Sequence, residues 1–229
     1  MTFGPEFLSA LLAIIVIDLV LAGDNAIVIA LAARNLPRQL QRRAIIWGSL
    51  GAVVVRSSLT VAVLWLLGVP GLMLAGGLLL VWIAYKLLAG SDNGGGDHEV
   101  APAKSFWAAM RTIVVADAVM GLDNVLAVAG AAHGSVLLVV TGLLISIPIV
   151  VWGSTLILYW LERFPALLYI GGAVLAWTAA KMIADEPLYQ AWLDDRPGVK
   201  SALFVLTIGG VLGAAWLRNR KAKAKEVLQ

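Results

Sequence analysis

Cysteine is absent from the 229 residues, which removes disulfide frameworks, thiolate metal sites and cysteine nucleophiles together and leaves the redox compartment undetermined. Any metal here must accept oxygen or imidazole ligands. Charge is scarce: charged residues make up 14% of the chain against 61% hydrophobic, and the mean hydropathy is +0.91. That composition excludes an ordinary soluble domain, whose apolar share is nearer one half. No basic segment precedes the first apolar stretch, which is too long for a signal-peptide core, so it is expected to be a retained helix. A folded basic module is also missing. The net charge of +3 comes from short connections and the carboxyl end, so nucleic acid is not an expected partner.

What is present is a series of apolar runs of about 20 residues, each long enough to span a bilayer. They predict seven transmembrane helices near 7–33, 44–67, 70–90, 106–132, 136–160, 164–184 and 201–217, an all-α membrane protein. Arg34, Arg38, Arg42, Arg43, Lys86, Lys104, Arg111, Arg163 and the tail basics Arg218, Arg220, Lys221, Lys223 and Lys225 fall on one side of that topology. Lys181, Arg196 and Lys200 fall on the other. The positive-inside rule then puts the amino terminus outside and the carboxyl terminus in the cytoplasm of a cell (inner) membrane protein. The basic tail reads as an anchor to anionic lipid.

Two of these runs carry carboxylates where hydrocarbon is expected: Asp18, Asp24 and Asn25 in IDLVLAGDNAIVIA, and Asp117, Asp123 and Asn124 in ADAVMGLDNVLAVAG. An aspartate near a bilayer centre costs about 2.5–3.5 kcal/mol even on lenient scales, so each needs a partner, a cavity or a cation. The duplication extends further, because Gly76-Gly77-x4-Trp82-x3-Lys86 recurs as Gly171-Gly172-x4-Trp177-x3-Lys181, with Pro70 and Pro165 at matching places. With three spans per copy, the second copy must enter from the opposite side, as in the inverted repeats of secondary transporters. The expected organisation is a first three-helix repeat at 1–90, a flexible linker at 91–105, an inverted repeat at 106–186, and a seventh helix with its tail at 187–229. Within the linker Asp92, Asp97, His98 and Glu99 lack EF-hand spacing and read as solvated. The paired glycines are read as close-packing positions, with Trp and Lys as interface anchors.

On an uninterrupted helix Asp18 and Asn25 share a face while Asp24 points away, and the same holds for the second copy. All three converge if the helix unwinds, for which Gly23 and Gly121 supply permissive backbone. The resulting carboxylate and amide oxygens form a hard donor set suited to Mn(II), Ca(II) or Mg(II) as transported cargo, with no resident cofactor. Met120, opposite Leu21 of the first copy, is either a soft selectivity element or ordinary packing. The bland alternative is that the polar groups cap broken half-helices.

Arg56 sits mid-span, about 18 Å from a helix end at 1.5 Å per residue, and needs an internal anion. It is read either as a counter-ion for the acidic cluster or as half of a fixed pair. Its aligned position is Val150, so it is not duplicated. Four aspartates and Arg56 carry −3, and a divalent cation leaves −1. Closely spaced buried carboxylates favour sharing a proton, so metal and proton are expected to compete.

At LVLAGDNAIVIA (19–30), VMGLDNVLAVAG (119–130) and the Gly-Gly/Trp/Lys segments, the chain resembles the TerC family over about 5–186. The likeness is to its short seven-span branch, which is associated with manganese-responsive riboswitches and is similar to the lysine-exporter-type superfamily. The resemblance implies Mn(II) export and carries the acidic role onto Asp18, Asp24, Asp117 and Asp123, with Asn25 and Asn124 beside them. An intramembrane aspartyl protease is disfavoured, because no expected span carries a Tyr-Asp or a Gly-x-Gly-Asp, so the chain is not read as an enzyme. A non-transporting membrane partner that delivers metal to other proteins is the alternative, and a homo-oligomer is compatible with either reading.

Overall fold

The structure is a computed structural model that describes residues 5–66, 69–89, 105–132, 135–164 and 166–226. The expected linker at 91–104, Lys104 and Pro165 lie outside the described residues. Eight helices are present among those described and no strand: α1 Pro5–Ala33, α2 Arg38–Leu66, α3 Leu72–Ala89, α4 Phe106–Ala131, α5 Val136–Arg163, α6 Leu167–Ala184, α7 Gln190–Asp194 and α8 Pro197–Glu226. In hydrocarbon each backbone amide must bond within its own segment, so long apolar runs become helices regardless of their β-branched content. The short α7 is not signalled by hydropathy. The basic tail, expected as a surface anchor, continues α8 as helix.

Among the described residues five helical segments are long and apolar enough to cross a bilayer: Arg38–Ala62, Leu72–Ala89, Val136–Arg163, Leu167–Ala184 and Pro197–Lys221. A sixth is α1, if its arms Phe7–Leu19 and Gly23–Ala33, bent by 51°, form one span. The helix α4, carrying Arg111, Asp117 and Asp123, is not among them. Apolar side chains that a soluble protein would cover stand outside, including Trp152, Val205 and Leu206 at 69–72% exposure. The protein is a multi-pass integral membrane protein. Exposed tryptophans carry cations over their rings, Lys86 on Trp82, Arg196 on Trp192 and Arg220 on Trp216, at 4.4–4.8 Å.

Packing crosses between the halves. The most extensive contacts pair α2 with α4, α1 with α5, and α3 with α6, while α1 also lies on α4 and α8 covers α6 and α3. Gly76, Gly77 and Gly172 of the two glycine pairs allow the α3–α6 approach, while Gly171 lies against Ile27 and Leu31 of α1. A Cβ on Gly77 would stand 2.6 Å from Ile183 Cγ1 and 2.9 Å from the Ala179 carbonyl, and one on Gly172 would enter the Leu88 side chain. Close packing is therefore their role.

One end of the bundle gathers Arg34, which donates to the Leu87 carbonyl at 2.8 Å, Asn219, which donates to the Leu88 carbonyl at 3.2 Å, and Arg38 beside Glu162. At the other end the buried Glu186 accepts from the amides of Gly71 at 2.9 Å and Leu74 at 3.1 Å. Gly71 has φ of 81°, a left-handed conformation that favours glycine. Both ends of α3 are thus capped by side chains from elsewhere in the fold. Burial pushes the Glu186 carboxyl up, but the amides of Gly71 and Leu74 outweigh it and leave it below the usual glutamate range.

Candidate cation site

Both acidic helices keep helical backbone along their described lengths, but α1 bends by 51° between its arms Phe7–Leu19 and Gly23–Ala33, the second arm starting at the permissive Gly23. The convergence expected through unwinding does not occur in the first copy. At about 100° per residue, Asp24 lies roughly 120° around the helix from Asp18, while Asn25 returns to the same face. The structure keeps that separation despite the bend. Asp18 and Asn25 face a cavity between α1, α2, α4 and α5, whereas Asp24 accepts from Thr178 Oγ1 of α6 at 3.2 Å and from the Asn25 amide at 2.9 Å.

Arg56 is buried and bridges two helices of different halves: Nη1 donates to Asp18 Oδ1 and Nη2 to Asp117 Oδ1. Three buried charges thus meet in an arrangement that only a paired geometry can sustain, because losing one partner strands the others. The cavity beside them measures about 30 Å³ and is lined by Asp18, Asn25, Ser49, Arg56 and Asp117 on its polar side and by Leu143, Ile147 and Val150 of α5. Val150, the position aligned with Arg56, therefore meets it at the same cavity. Among the described residues, Asp117 Oδ2 and Ser49 Oγ are buried without a hydrogen-bond partner.

The two copies are used unequally. Asn124 is half-buried and does not line this cavity, and the side chain of Asp123 lies outside the described residues. Among the described residues no three Asp, Glu or His side chains are grouped closely enough to hold a metal. Met120 is buried in the apolar core with Val119 and Ile113, away from the cavity, so it serves packing. Sequence reading missed Ser49, which precedes Arg56 by two helical turns, and Thr178, which directly follows the repeated Trp177; spacing was the available signal for both.

Residues 3–224 match the family described as the integral membrane protein TerC family. The chain belongs to that family. It is 43% identical over 210 residues to the uncharacterized membrane protein YjbE of Bacillus subtilis, covering 92% of this chain and 95% of YjbE. It is 23% identical to the uncharacterized membrane protein YkoY of the same organism, over 77% of this chain and 60% of YkoY. A third relative is the UPF0053 protein YegH of Escherichia coli K12, 26% identical over 79% of this chain and 37% of YegH. No solved structure matches. The family description is of membrane proteins and names no catalytic activity.

Proposed function

We propose that this TerC-family protein is a carrier that moves a divalent cation, Mn(II), out of the cell, in exchange for protons. The observation that carries the reading is the Arg56 guanidinium held between Asp18 and Asp117, one aspartate from each acidic copy. A tethered monovalent cation there does what a transported divalent cation would do, which is to neutralise two carboxylates that hydrocarbon cannot hold bare. Cargo and Arg56 then compete for the same oxygens. The carboxylate, amide and hydroxyl oxygens on that face suit Mn(II), Mg(II) or Ca(II), and the family resemblance selects Mn(II) and export.

In this mechanism Asp18 and Asp117 receive the cation as Arg56 withdraws, while Asp24, on another face of α1, is oriented toward α6 by Thr178. Asp24 and Asp123 are the second station of the path. When the cation leaves, Arg56 offsets one of the two carboxylate charges and a proton the other, which couples cargo to protons. We read α4 as the seventh span, its Asp117 neutralised by Arg56. Packing supports an inverted repeat, because exchanging halves turns the α1–α5 contact into α4–α2 and maps α1–α4 and α3–α6 onto themselves. The basic end around Arg34 and Arg38 is taken as cytoplasmic, with the amino terminus outside.

The test is Mn(II) flux into liposomes containing only this protein, with Ca(II), Mg(II) and Zn(II) as competitors and an imposed pH gradient. Flux that is lost in the Asp24→Asn/Asp123→Asn double variant, with membrane insertion intact, is the expected result. Wild-type flux in that variant discards these residues. Mn(II) binding without flux replaces the carrier with a module that hands metal to a partner, and flux indifferent to pH removes the proton coupling.

A further inference from the structure

The serines of these helices separate into two groups. Ser58, Ser146 and Ser154 each donate to the carbonyl four residues back, at 2.7–3.1 Å, the usual way for a hydroxyl to be satisfied inside an apolar helix. Ser49 makes no such bond. It is 4% exposed, its Oγ has no hydrogen-bond partner among the described residues, and it lines the acidic cavity. Ser57 also lacks a partner but does not line that cavity. Along α2, Ser49, Ala52, Val53 and Arg56 form one i, i+3, i+4, i+7 face, and all four line the cavity.

The neighbouring helix α4 offers a second incompletely used donor. Asp117 spends Oδ1 on Arg56 and keeps a buried Oδ2 without a hydrogen-bond partner. A buried oxygen without a partner is costly, so two beside one cavity need an explanation. The cavity of about 30 Å³ holds on the order of two waters at ~10–15 Å³ each. A hydrated cation does not fit, so protein oxygens must replace most of its water. Asp18, Asp117, Asn25 and Ser49 supply four oxygens, and water admitted as Arg56 withdraws completes the six of an octahedral hard-cation site.

We propose that Ser49 Oγ is a direct ligand of the divalent cation in this cavity, together with Asp117, and is taken up as Arg56 withdraws. This rests on the reading of Asp18 and Asp117 as a cation site. It adds a neutral donor from α2, the helix that carries the competing arginine, so that the same helix both blocks the site and completes it. Ligand type at position 49 then tunes which metal is preferred.

The absence of native cysteine makes the test specific. Full-length protein in lipid nanodiscs is titrated with Mn(II), followed by electron paramagnetic resonance, and with Cd(II) in competition. Ser49→Ala is expected to weaken Mn(II) by about 10-fold, the scale seen when a supporting group of a metal site is lost. Ser49→Cys is expected to raise the Cd(II)-over-Mn(II) preference by about 10-fold or more, with a thiolate-to-Cd(II) ultraviolet band, because a thiolate favours soft metals. Ser57→Cys should show neither. If the wild type binds Mn(II) and Asp117→Asn abolishes it, but Ser49→Cys gives no band and no change of preference, Ser49 is not a ligand and the acidic site stands without it. If the wild type binds no Mn(II), Cd(II) or Mg(II), both the ligand and the site are overturned.

Discussion

Replacing Arg56 with glutamine leaves Asp18 and Asp117 lining one buried cavity with no cation between them. Breaking a buried ion pair by removing one partner costs about 3–5 kcal/mol, because the remaining charge is stranded. For a chain of 229 residues, each kcal/mol moves the melting temperature by about 2–4 °C, so we predict a drop of roughly 6–20 °C for detergent-purified Arg56→Gln. The triple variant Asp18→Asn/Arg56→Gln/Asp117→Asn removes the charges along with their partner and should recover most of that loss, giving a large coupling energy in the mutant cycle. Mn(II) should stabilise Arg56→Gln more than the wild type, since the cation no longer displaces a guanidinium. The assay is a thermal melt, with and without Mn(II), of the wild type, Arg56→Gln, Asp18→Asn/Asp117→Asn and the triple variant. An Arg56→Gln variant as stable as the wild type, or a triple variant no better than the single one, would refute the argument that this arginine neutralises the acidic pair.

Two further predictions concern the scaffold. Glu186 is held below the ordinary glutamate value of 4.5, burial being outweighed by the Gly71 and Leu74 amides. A lowered folded-state value means its contribution is complete above that value and is lost as pH falls through the folded one. Melting temperature against pH from 7 to 3 should therefore decline for the wild type and flatten in Glu186→Gln, which should also be less stable at pH 7 by about 1–2 kcal/mol through loss of the cap on α3. Gly77→Ala should cost about 1–3 kcal/mol because its Cβ would meet the Ala179 backbone carbonyl, whereas Gly23→Ala, with no atom within 4 Å of its Cβ, should be near neutral. Chemical denaturation of both variants checks the contrast, and equal losses would show that glycine at 77 is not a packing requirement.

Much of the architecture is legible from hydropathy. The expected runs at 70–90, 106–132 and 164–184 agree with α3, α4 and α6 to within a few residues, because a bilayer makes apolar length and helix length nearly the same quantity. Less legible were α7 and the helical continuation of α8 through the basic tail, since neither depends on hydrophobic length. At the site, helix periodicity was the better guide: Asp18 and Asn25 share a face and Asp24 does not, a separation kept across the 51° bend of α1. The unwinding invoked to bring all three together was unnecessary, because α6 supplies Asp24 with Thr178.

From sequence alone it follows that this chain lives in a membrane, that an acidic motif recurs in it, and that a mid-span arginine needs a buried anion. Those conclusions rest on properties of single segments, namely length, hydropathy and the cost of charge in hydrocarbon. Which aspartates Arg56 would choose, which hydroxyl would join them and what would cap α3 depend on which helix faces meet. That is decided by packing between the halves, where α2 meets α4 and α1 meets α5. Only there do Asp18, Asp117, Arg56 and Ser49, up to 99 residues apart in the sequence, come to line one cavity.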